Sequence, residues 1–243
     1  MKKKAINAVI QARMGSTRLP GKVLLEIEGI PILEHIIHRL NSISGIDKII
    51  IATSDKEDDD AIFEFCKSRD IPCVRGSEEN VLERFGIVAG LYPAEVYIRA
   101  TGDNPMIDVG LIKDMLHFFD DNNLTYTCYK NYPIGSGVEI FTSEALAETI
   151  KKADKPYELE HVTPYMYQRM NERRVQYFES PTDDSMIRMT VDTEEDLVFA
   201  KEIFKRLYHH NPVFGISEIK KLMEHDSSLK SINSDVHQKK LGE

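Results

Sequence analysis

A basic stretch near the N-terminus holds the residues best suited to chemistry. Residues 11–22 read Gln-Ala-Arg-Met-Gly-Ser-Thr-Arg-Leu-Pro-Gly-Lys and follow the first predicted strand. Glycines let the backbone approach an anion and direct N–H groups at its oxygens, and the cations can neutralise a triphosphate. For the cations alone, a basic surface loop is an equal alternative. The residues of this predicted phosphate site are Arg13, Gly15, Arg18, Gly21 and Lys22.

The glycine spacing differs from that of two common phosphate-binding motifs. The Walker motif requires Gly-x-x-x-x-Gly-Lys-Ser/Thr and the dinucleotide fingerprint requires G-x-G-x-x-G, and Gly15 and Gly21 fit neither. The sequence therefore disfavours a P-loop ATPase and a dehydrogenase.

Two aspartates are candidate magnesium ligands. Asp103 lies just beyond a hydrophobic strand, at the edge where open α/β sheets bind ligands, and Asp192 follows another strand-like run. Two such carboxylates, brought together by the fold, would hold Mg²⁺ against nucleotide phosphates. Each has a structural alternative, because Asp103 can cap the turn before Pro105 and Asp192 can help cap a helix that begins near Thr193. For Asp192 alone, capping is the favoured interpretation.

Alternating strands and helices must position these residues. Short β-branched runs at 5–11, 49–52 and 96–99 are separated by amphipathic stretches, which predicts a mainly parallel sheet flanked by helices. Helices are predicted to begin near Pro31 and after Asp55, the latter with Ile62, Phe63 and Cys66 inward, and to span 80–91 and 108–119. This half of the chain is typical of a nucleotide-binding layer.

The pattern changes in the second half of the chain. An alternating run at 125–130, a glycine-rich turn at 134–137 and a strand at 138–141 predict an antiparallel insertion. Further strands are predicted at 175–179 and 187–191, an interrupted helix at 156–169, and a helix capped by Thr193.

The expected organisation is a single domain with a tail. The domain is predicted to span residues 1–224, with about 125–180 forming an acceptor or dimerisation region. Residues 225–243 are polar without a strong period and are predicted to form a peripheral C-terminal tail.

Composition limits the class of protein. The chain has 243 residues, 42% hydrophobic and 29% charged, which favours a compact fold over disorder or a coiled coil. A net charge of -9 disfavours a nucleic-acid surface. No apolar run suits a signal peptide or a membrane span, so we expect a cytoplasmic protein. Three cysteines without C-x-x-C spacing predict reduced thiols and no zinc site.

Residues 11–22 resemble the signature of cytidylyltransferases that activate sugars. The resemblance is to the spore-coat polysaccharide biosynthesis group and, more distantly, to the CMP-sialate and CMP-Kdo synthetases. It continues in order over about residues 5 to 200. The further matching segments are Ile51-Ala-Thr-Ser-Asp55, Arg75-Gly-Ser-Glu-Glu-Asn-Val-Leu-Glu-Arg84, Arg99-Ala-Thr-Gly-Asp-Asn-Pro105, Gly137-Val-Glu-Ile-Phe141, Glu160-His-Val-Thr-Pro164 and Ile187-Arg-Met-Thr-Val-Asp-Thr-Glu-Glu-Asp-Leu197.

The resemblance implies both a fold and an activity. The fold is the three-layer α/β, Rossmann-like fold of nucleotide-diphospho-sugar transferases, with a mainly parallel sheet and a small antiparallel insertion. The activity is Mg²⁺-dependent transfer of CMP from CTP to a sugar or sugar-acid acceptor, with release of pyrophosphate, for surface polysaccharide or glycan biosynthesis. A homodimer with neither a nucleic-acid nor a membrane partner is expected. The acceptor, a keto-sugar acid or a phosphorylated compound, stays open.

The resemblance also assigns roles to residues. The implied catalytic residues are Arg13, Lys22 and Asp103, and the implied metal ligands are Asp103 and Asp192. The implied acceptor contacts are Glu139 and His161, although a lone histidine near a helical proline is more often structural. Sialate-activating relatives carry a further acidic residue where this chain has Thr190, so the number of metal ions stays open. The implied nucleotide-binding residues are Ala12, Arg13, Gly15, Ser16, Arg18, Lys22, Thr53, Ser54, Arg75, Asn80, Arg84 and Thr101.

Two other functions remain open from the sequence. A glycosyltransferase of the related fold would use Asp103 as its metal ligand. The basic loop disfavours this alternative, because a glycosyltransferase has no leaving pyrophosphate to hold. A non-catalytic nucleotide-binding protein would bind without turnover.

Overall fold

The structure, a computed structural model, describes residues 4–170 and 172–238. The strands are β1 (Ile6–Gln11), β2 (Glu26–Ile27), β3 (Ile30–Pro31), β4 (Lys48–Ser54), β5 (Cys73–Gly76), β6 (Val96–Thr101), β7 (Tyr126–Lys130), β8 (Glu139–Thr142) and β9 (Val175–Glu179). The α-helices are α1 (Ile32–Asn41), α2 (Asp60–Ser68), α3 (Val81–Leu91), α4 (Val109–Asp121), α5 (Ser143–Lys152), α6 (Pro156–His161), α7 (Pro164–Arg169), α8 (Glu194–Leu207) and α9 (Ile216–His225).

Seven strands form the main sheet, in the order β5-β4-β1-β6-β8-β7-β9. β5, β4, β1 and β6 are mutually parallel. β8 runs antiparallel to both of its neighbours, and β9 pairs in parallel with β7 at the edge. β2 and β3 form a separate hairpin. The predicted parallel sheet with an antiparallel insertion is confirmed.

Both faces of the sheet are covered, which explains the near-continuous apolar runs of its central strands. Ala8 and Ile10 of β1 pack into one core with α1, α2, α4 and α8. Val9 points to the other face and packs with α3, α5 and α7. The three-layer arrangement implied by the resemblance is therefore present.

The carboxyl ends of β4, β1 and β6 lie side by side and define the edge that carries the site. Gln11, the last residue of β1, pairs with Ala52 of β4 and with Thr101 of β6. Gly102 follows at a point of close approach, since a Cβ there would lie 2.9 Å from the Cβ of Ala12. The absence of a side chain at Gly102 lets the turn after β6 lie against the start of the basic loop.

The second predicted helix begins later than the sequence indicates. Asp55 is not its cap, because α2 starts at Asp60 after a 3-10 turn at Glu57–Asp59. On this helix Phe65 is buried, whereas Phe63 is half-buried. The predicted inward position of Phe63 was wrong, whereas Ile62 and Cys66 are buried as expected.

The predicted strand at 187–191 was also wrong. The segment is extended but makes one isolated bridge, between Arg188 and Ile134. Ile134 lies beside Gly135, whose φ of +82° turns the chain away from the ladder. The amide of Val191 donates instead to the carbonyl of Asp103, at 2.8 Å. The segment therefore links the two candidate metal ligands rather than extending the sheet.

The described part of the C-terminal tail, residues 225–238, lies closer to the body than the sequence indicates. A 3-10 turn at Ser227–Ser231 places Leu229 in the core, where its side chain is 1% exposed. Asn233 is also buried. Within 4–170 and 172–238, no helix combines the length and apolarity needed to cross a bilayer.

Candidate active site

Lys22 lies between the two candidate metal ligands. Its Nζ is 2.7 Å from Oδ2 of Asp103 and 2.7 Å from Oδ1 of Asp192. The lysine is buried at the start of a 3-10 turn, Lys22–Leu24, and reaches the carboxyl ends of the strands. The structure therefore brings together side chains that are 81 and 170 positions apart from Lys22 in sequence. We call Lys22, Asp103, Asp192 and Arg18 the Lys22 cluster.

The charges of the Lys22 cluster stabilise each other. Burial alone would lower the pKa of Lys22, but the nearby carboxylates of Asp103 and Asp192 outweigh it and raise that pKa. Burial would raise the pKa of Asp192, but Lys22, Arg18 and Arg188 lower it. At neutral pH the site therefore contains the Lys22 ammonium and the ionised carboxylate of Asp192.

Neither aspartate acts as a cap. Asp103 accepts a hydrogen bond from the Thr101 hydroxyl at 2.6 Å, besides its contact with Lys22. The helix after Asp192 is capped by Thr193, which forms the predicted capping box with Asp196. Asp192 is thereby free to face the basic loop, and the capping interpretation of both aspartates is wrong.

Two arginines hold the other oxygen of Asp192. Arg18 Nη2 lies 3.1 Å from Oδ2 and Arg188 Nη2 lies 3.2 Å from the same atom. Arg18 also donates to the carbonyl of His237 in the tail, at 3.4 Å. A cavity of about 470 Å³ opens beside Arg18, with walls from Thr193 and from the tail.

Asp59 fixes the start of the basic loop. Its buried carboxylate accepts from the amide of Met14 at 2.6 Å and from the amide and hydroxyl of Ser54. The carbonyl of Met14 accepts from the amides of Ser16 and Gly21, where Gly21 has a φ of +68°. These three loop amides are thus used within the protein and are not available to a phosphate in the described conformation.

Arg84 and Thr53 are buried with unsatisfied polar atoms. Arg84 is 2% exposed, and among the described residues none accepts a hydrogen bond from its Nε or Nη1. Burial, followed by the charge of Arg13, lowers the pKa of Arg84. The Thr53 hydroxyl likewise has no partner within the described chain. Unsatisfied buried donors are costly, so an acceptor from outside the protein fits here. The solvated-face alternative for Arg84 is wrong.

Arg75 and Asn80 lie next to these groups but make other contacts, since Arg75 pairs with Thr53 across β4 and β5 and Asn80 precedes the helix that carries Arg84. Arg75 donates to the carbonyls of Ser54 and Lys56 and pairs with Asp60 at 2.6 Å, so its guanidinium ties down the turn before α2. Asn80 caps α3 by accepting from the amide of Glu83 at 3.0 Å. Their contacts in the structure are internal to the protein.

Glu139 sits in a second polar cluster on the antiparallel side. Its carboxylate pairs with Arg99 and accepts hydrogen bonds of 2.6 Å from the hydroxyls of Tyr126 and Thr163. We call Glu139, Arg99, Tyr126 and Thr163 the Glu139 cluster. These bonds occupy Glu139 internally, so it lies within the predicted acceptor region without leaving its carboxylate exposed.

His161 and Arg13 lie near the Glu139 cluster. Burial lowers the pKa of His161, so its ring is neutral at pH 7. Arg13 is about half exposed, with Nη2 3.7 Å from Glu160. Val162 adopts a φ of +70° and a ψ of -53°, and the amide of Thr163 donates to the carbonyl of His161 at 2.8 Å. This strained γ-turn directs the Thr163 hydroxyl to Glu139.

A family model described as Cytidylyltransferase matches residues 7–235. The match includes the basic loop, both aspartates and most of the described tail. The chain belongs to this cytidylyltransferase family. Membership of this family makes the protein a CTP-using nucleotidyltransferase.

Individual relatives match nearly the whole chain. An uncharacterized protein of Methanocaldococcus jannaschii is 39% identical over 236 residues, or 96% of each chain. The spore coat polysaccharide biosynthesis protein SpsF of Bacillus subtilis is 37% identical over 206 residues, covering 82% of this chain and 85% of that one. The structure of a cytidylyltransferase from Leptospira borgpetersenii aligns with a TM-score of 0.87 at 27% identity, covering 98% of this chain and 100% of that one. The resemblance to the spore-coat group and the fold are confirmed.

Sequence reasoning missed four residues that shape this cytidylyltransferase site. Asp59 was hidden within an acidic run, and Asp196 was identified only as a partner of Thr193. Arg188 is a buried charge inside an otherwise apolar alternating run, which is a signal that could have revealed it. Asn233 lies in a polar tail without any local signal.

Proposed function

We propose that this cytidylyltransferase uses Mg²⁺ to transfer CMP from CTP to a sugar or sugar-acid acceptor, with release of pyrophosphate. The observation that carries the proposal is the convergence of Lys22 and Arg18 with Asp103 and Asp192 at the carboxyl edge of the parallel strands. The relation to a spore coat polysaccharide biosynthesis protein supports a sugar acceptor. A role in surface polysaccharide or glycan synthesis in the cytoplasm follows from the same proposal.

The proposed reaction is an in-line displacement at phosphorus. An acceptor oxygen forms a bond to the α-phosphorus of CTP, the bond from that phosphorus to the bridging oxygen breaks, and its electron pair leaves with pyrophosphate. The proton of an acceptor hydroxyl passes to water. Arg18 and Lys22 would hold the triphosphate and stabilise the charge that develops on the leaving group.

Lys22 is suited to this task because its ammonium is shared. A single Nζ contacts two carboxylates at 2.7 Å, and a lysine is a point charge on a flexible stem. A phosphate oxygen can therefore take the place of one carboxylate without breaking a bidentate pair. Thr101 keeps Asp103 oriented through its 2.6 Å hydrogen bond during this exchange.

The chemistry of the donor set fits Mg²⁺. Asp103 and Asp192 already enclose a cation, the Lys22 ammonium, and Mg²⁺ is commonly held by one or two carboxylates together with substrate phosphates and water. Thr190, which replaces the third acidic residue of sialate-activating relatives, contacts the carbonyl of Asp103 at 3.4 Å. Bound Mg²⁺ would neutralise phosphate charge. We propose that Asp103 and Asp192 hold it.

The unsatisfied donors indicate where the rest of CTP binds. Arg84 Nε and Nη1 and the Thr53 hydroxyl are buried without partners among the described residues, and the charges of Arg13 and Asp59 act on Arg84. Cytosine and ribose offer carbonyl, ring-nitrogen and hydroxyl oxygen acceptors that would satisfy them. His161, which lies near Arg13 and the Glu139 cluster, is the proposed acceptor contact, and Glu139 supports the acceptor region.

We also propose a homodimer formed through the region of about residues 125–180. β9 is the edge strand of the sheet, and Tyr177 on it is 46% exposed. Exposed edge strands are common sites of association.

An acceptor panel tests the proposed function. The protein, CTP and Mg²⁺ are incubated with keto-sugar acids, sugar phosphates and other phosphomonoesters, and pyrophosphate and product masses are measured. We expect one acceptor class to give equimolar pyrophosphate and cytidylylated product, with loss of both in Asp103→Asn. The proposal fails if no acceptor is cytidylylated while CTP binds no better than the other nucleotides.

A further inference from the structure

A buried chain of hydrogen bonds connects the C-terminal tail to Asp192. Asn233 Nδ2 donates to Oδ1 of Asp196 at 2.9 Å, and Asp196 is completely buried. Arg188 binds both oxygens of Asp196, with Nε to Oδ1 at 3.1 Å and Nη2 to Oδ2 at 2.9 Å. The same Nη2 reaches Oδ2 of Asp192 at 3.2 Å.

We propose that Asn233 is a positioning residue that fixes the Asp192 carboxylate through Asp196 and Arg188. The C-terminal tail then contributes a positioning residue to the nucleotide site. This inference rests on the proposed function, in which Asp192 is a metal ligand.

The planar geometry of arginine makes this chain directional. A bidentate pair fixes the plane of the Arg188 guanidinium, so the position of Asp196 determines where Nη2 points. Arg188 and Arg18 both hold Oδ2 of Asp192, which leaves Oδ1 directed at Lys22 and Asp103. The network therefore determines which oxygen of Asp192 faces the Lys22 ammonium.

Asn233 controls the first link of the chain. Asp196 Oδ1 is a buried acceptor served by Arg188 and Asn233, and Asn233 is itself only 6% exposed. Asn233 also donates to the carbonyl of Arg188 at 3.3 Å, so one amide fixes both partners. Loss of that amide leaves Arg188 as the donor to Oδ1 of Asp196, while the amides of Asp192 and Thr193 still hold Oδ2. The carboxylate can then rotate about Oδ2 and turn the Arg188 guanidinium with it.

The tail has a second buried anchor that does not touch this network. Leu229 is 1% exposed and packs in the core, four residues before Asn233. Leu229→Ala loosens the tail through packing alone, whereas Asn233→Asp keeps the shape of the side chain and replaces its donor with a charge. The two variants separate positioning from general attachment of the tail.

Metal binding provides a readout other than activity. Mn²⁺ affinity is measured calorimetrically in the full chain with saturating CTP and no acceptor, for wild type and for Asp192→Asn, Asn233→Asp, Leu229→Ala and Arg188→Lys. Circular dichroism gives the folded fraction at the same temperature. Partners of metal ligands typically contribute 10- to 100-fold to affinity, so we expect Asn233→Asp to weaken Mn²⁺ binding about tenfold.

The outcomes are distinct. We expect Leu229→Ala to stay within about twofold of wild type once corrected for folded fraction, and Arg188→Lys to behave like Asn233→Asp because it loses the bidentate pair. Equal Mn²⁺ affinity in wild type, Asn233→Asp and Arg188→Lys, with affinity lost in Asp192→Asn, would overturn the positioning role alone. Unchanged affinity in Asp192→Asn would overturn the proposed metal site and the positioning role with it. If Asn233→Asp does not fold, Arg188→Lys decides.

Discussion

The Lys22 cluster and the Glu139 cluster both bury carboxylates against cations, but they are built in opposite ways. In the Lys22 cluster one ammonium is shared by two carboxylates from distant segments. In the Glu139 cluster one carboxylate pairs with an arginine and accepts hydrogen bonds from two hydroxyls. The shared ammonium can move to another anion, whereas Glu139 has few free lone pairs. From this comparison we expect the first cluster to exchange partners during the proposed reaction and the second to be a fixed support.

Lys22→Met gives the largest expected effect. Loss of a cation that stabilises developing phosphate charge lowers kcat by about 10²- to 10³-fold, comparable to loss of one oxyanion donor. Steady-state kinetics with CTP and the identified acceptor provide the measurement. Lys220→Met is the matched control, because Lys220 pairs with Asp184 at 2.7 Å. A kcat within a few-fold of wild type in Lys22→Met would contradict the exchange role.

Glu139→Gln is expected to act mainly on stability. It keeps the shape and leaves Arg99, itself largely buried, without its countercharge, which costs about 3 kcal/mol in the free energy of unfolding. Urea unfolding measures the loss. Glu179→Gln, which breaks the exposed pair with Lys130, should cost less than about 1 kcal/mol. Equal losses in the two variants would show that the Glu139 cluster is not a support.

Arg84→Met separates binding from stability. Because two of its nitrogens have no acceptor among the described residues, removing the guanidinium leaves the free energy of unfolding unchanged or higher. The same change removes hydrogen bonds to the nucleotide and should weaken CTP binding about tenfold. Calorimetric titration and urea unfolding of one preparation test both parts. A less stable variant with normal CTP affinity would make Arg84 a structural residue.

Asp192→Asn gives the smallest expected effect on stability, a change in the pH dependence of the free energy of unfolding. The pKa of Asp192 is lowered from 3.8 in the folded protein, so its stabilising effect is present above pH 3.8 and is lost as pH falls through the folded value. The difference in free energy of unfolding between wild type and Asp192→Asn should therefore shrink below pH 3.8. A difference independent of pH would show that the charge of Asp192 is not stabilised by Lys22 and the arginines.

Local sequence signals predicted the Lys22 cluster well. The basic loop and Asp103 lie at strand ends, where parallel topology brings residues to one edge. The sequence left two roles open for Asp192, a helix cap or a metal ligand. The structure shows that Thr193 caps the helix instead. The resemblance to the cytidylyltransferases supplied the association of Asp192 with Asp103, which the sequence spacing alone left open.

The Glu139 cluster was beyond sequence reasoning for a physical reason. Glu139 meets Arg99 only because β8 pairs antiparallel with β6 in a register that sets these residues opposite each other. A one-residue slip would place Glu139 on the other face of the sheet. Asn233 poses the same problem over a longer distance, since its partner Asp196 is 37 positions away.

The structure of the protein with CTP and Mg²⁺, without acceptor, tests the central claim most directly. We predict that Lys22 Nζ moves from its place between Asp103 and Asp192 to a phosphate oxygen, that Arg84 Nε and Nη1 gain acceptors from the nucleotide, and that the Glu139 cluster is unchanged. Bound CTP with Lys22 still held by both carboxylates, or a triphosphate away from Arg18 and Lys22, would contradict it.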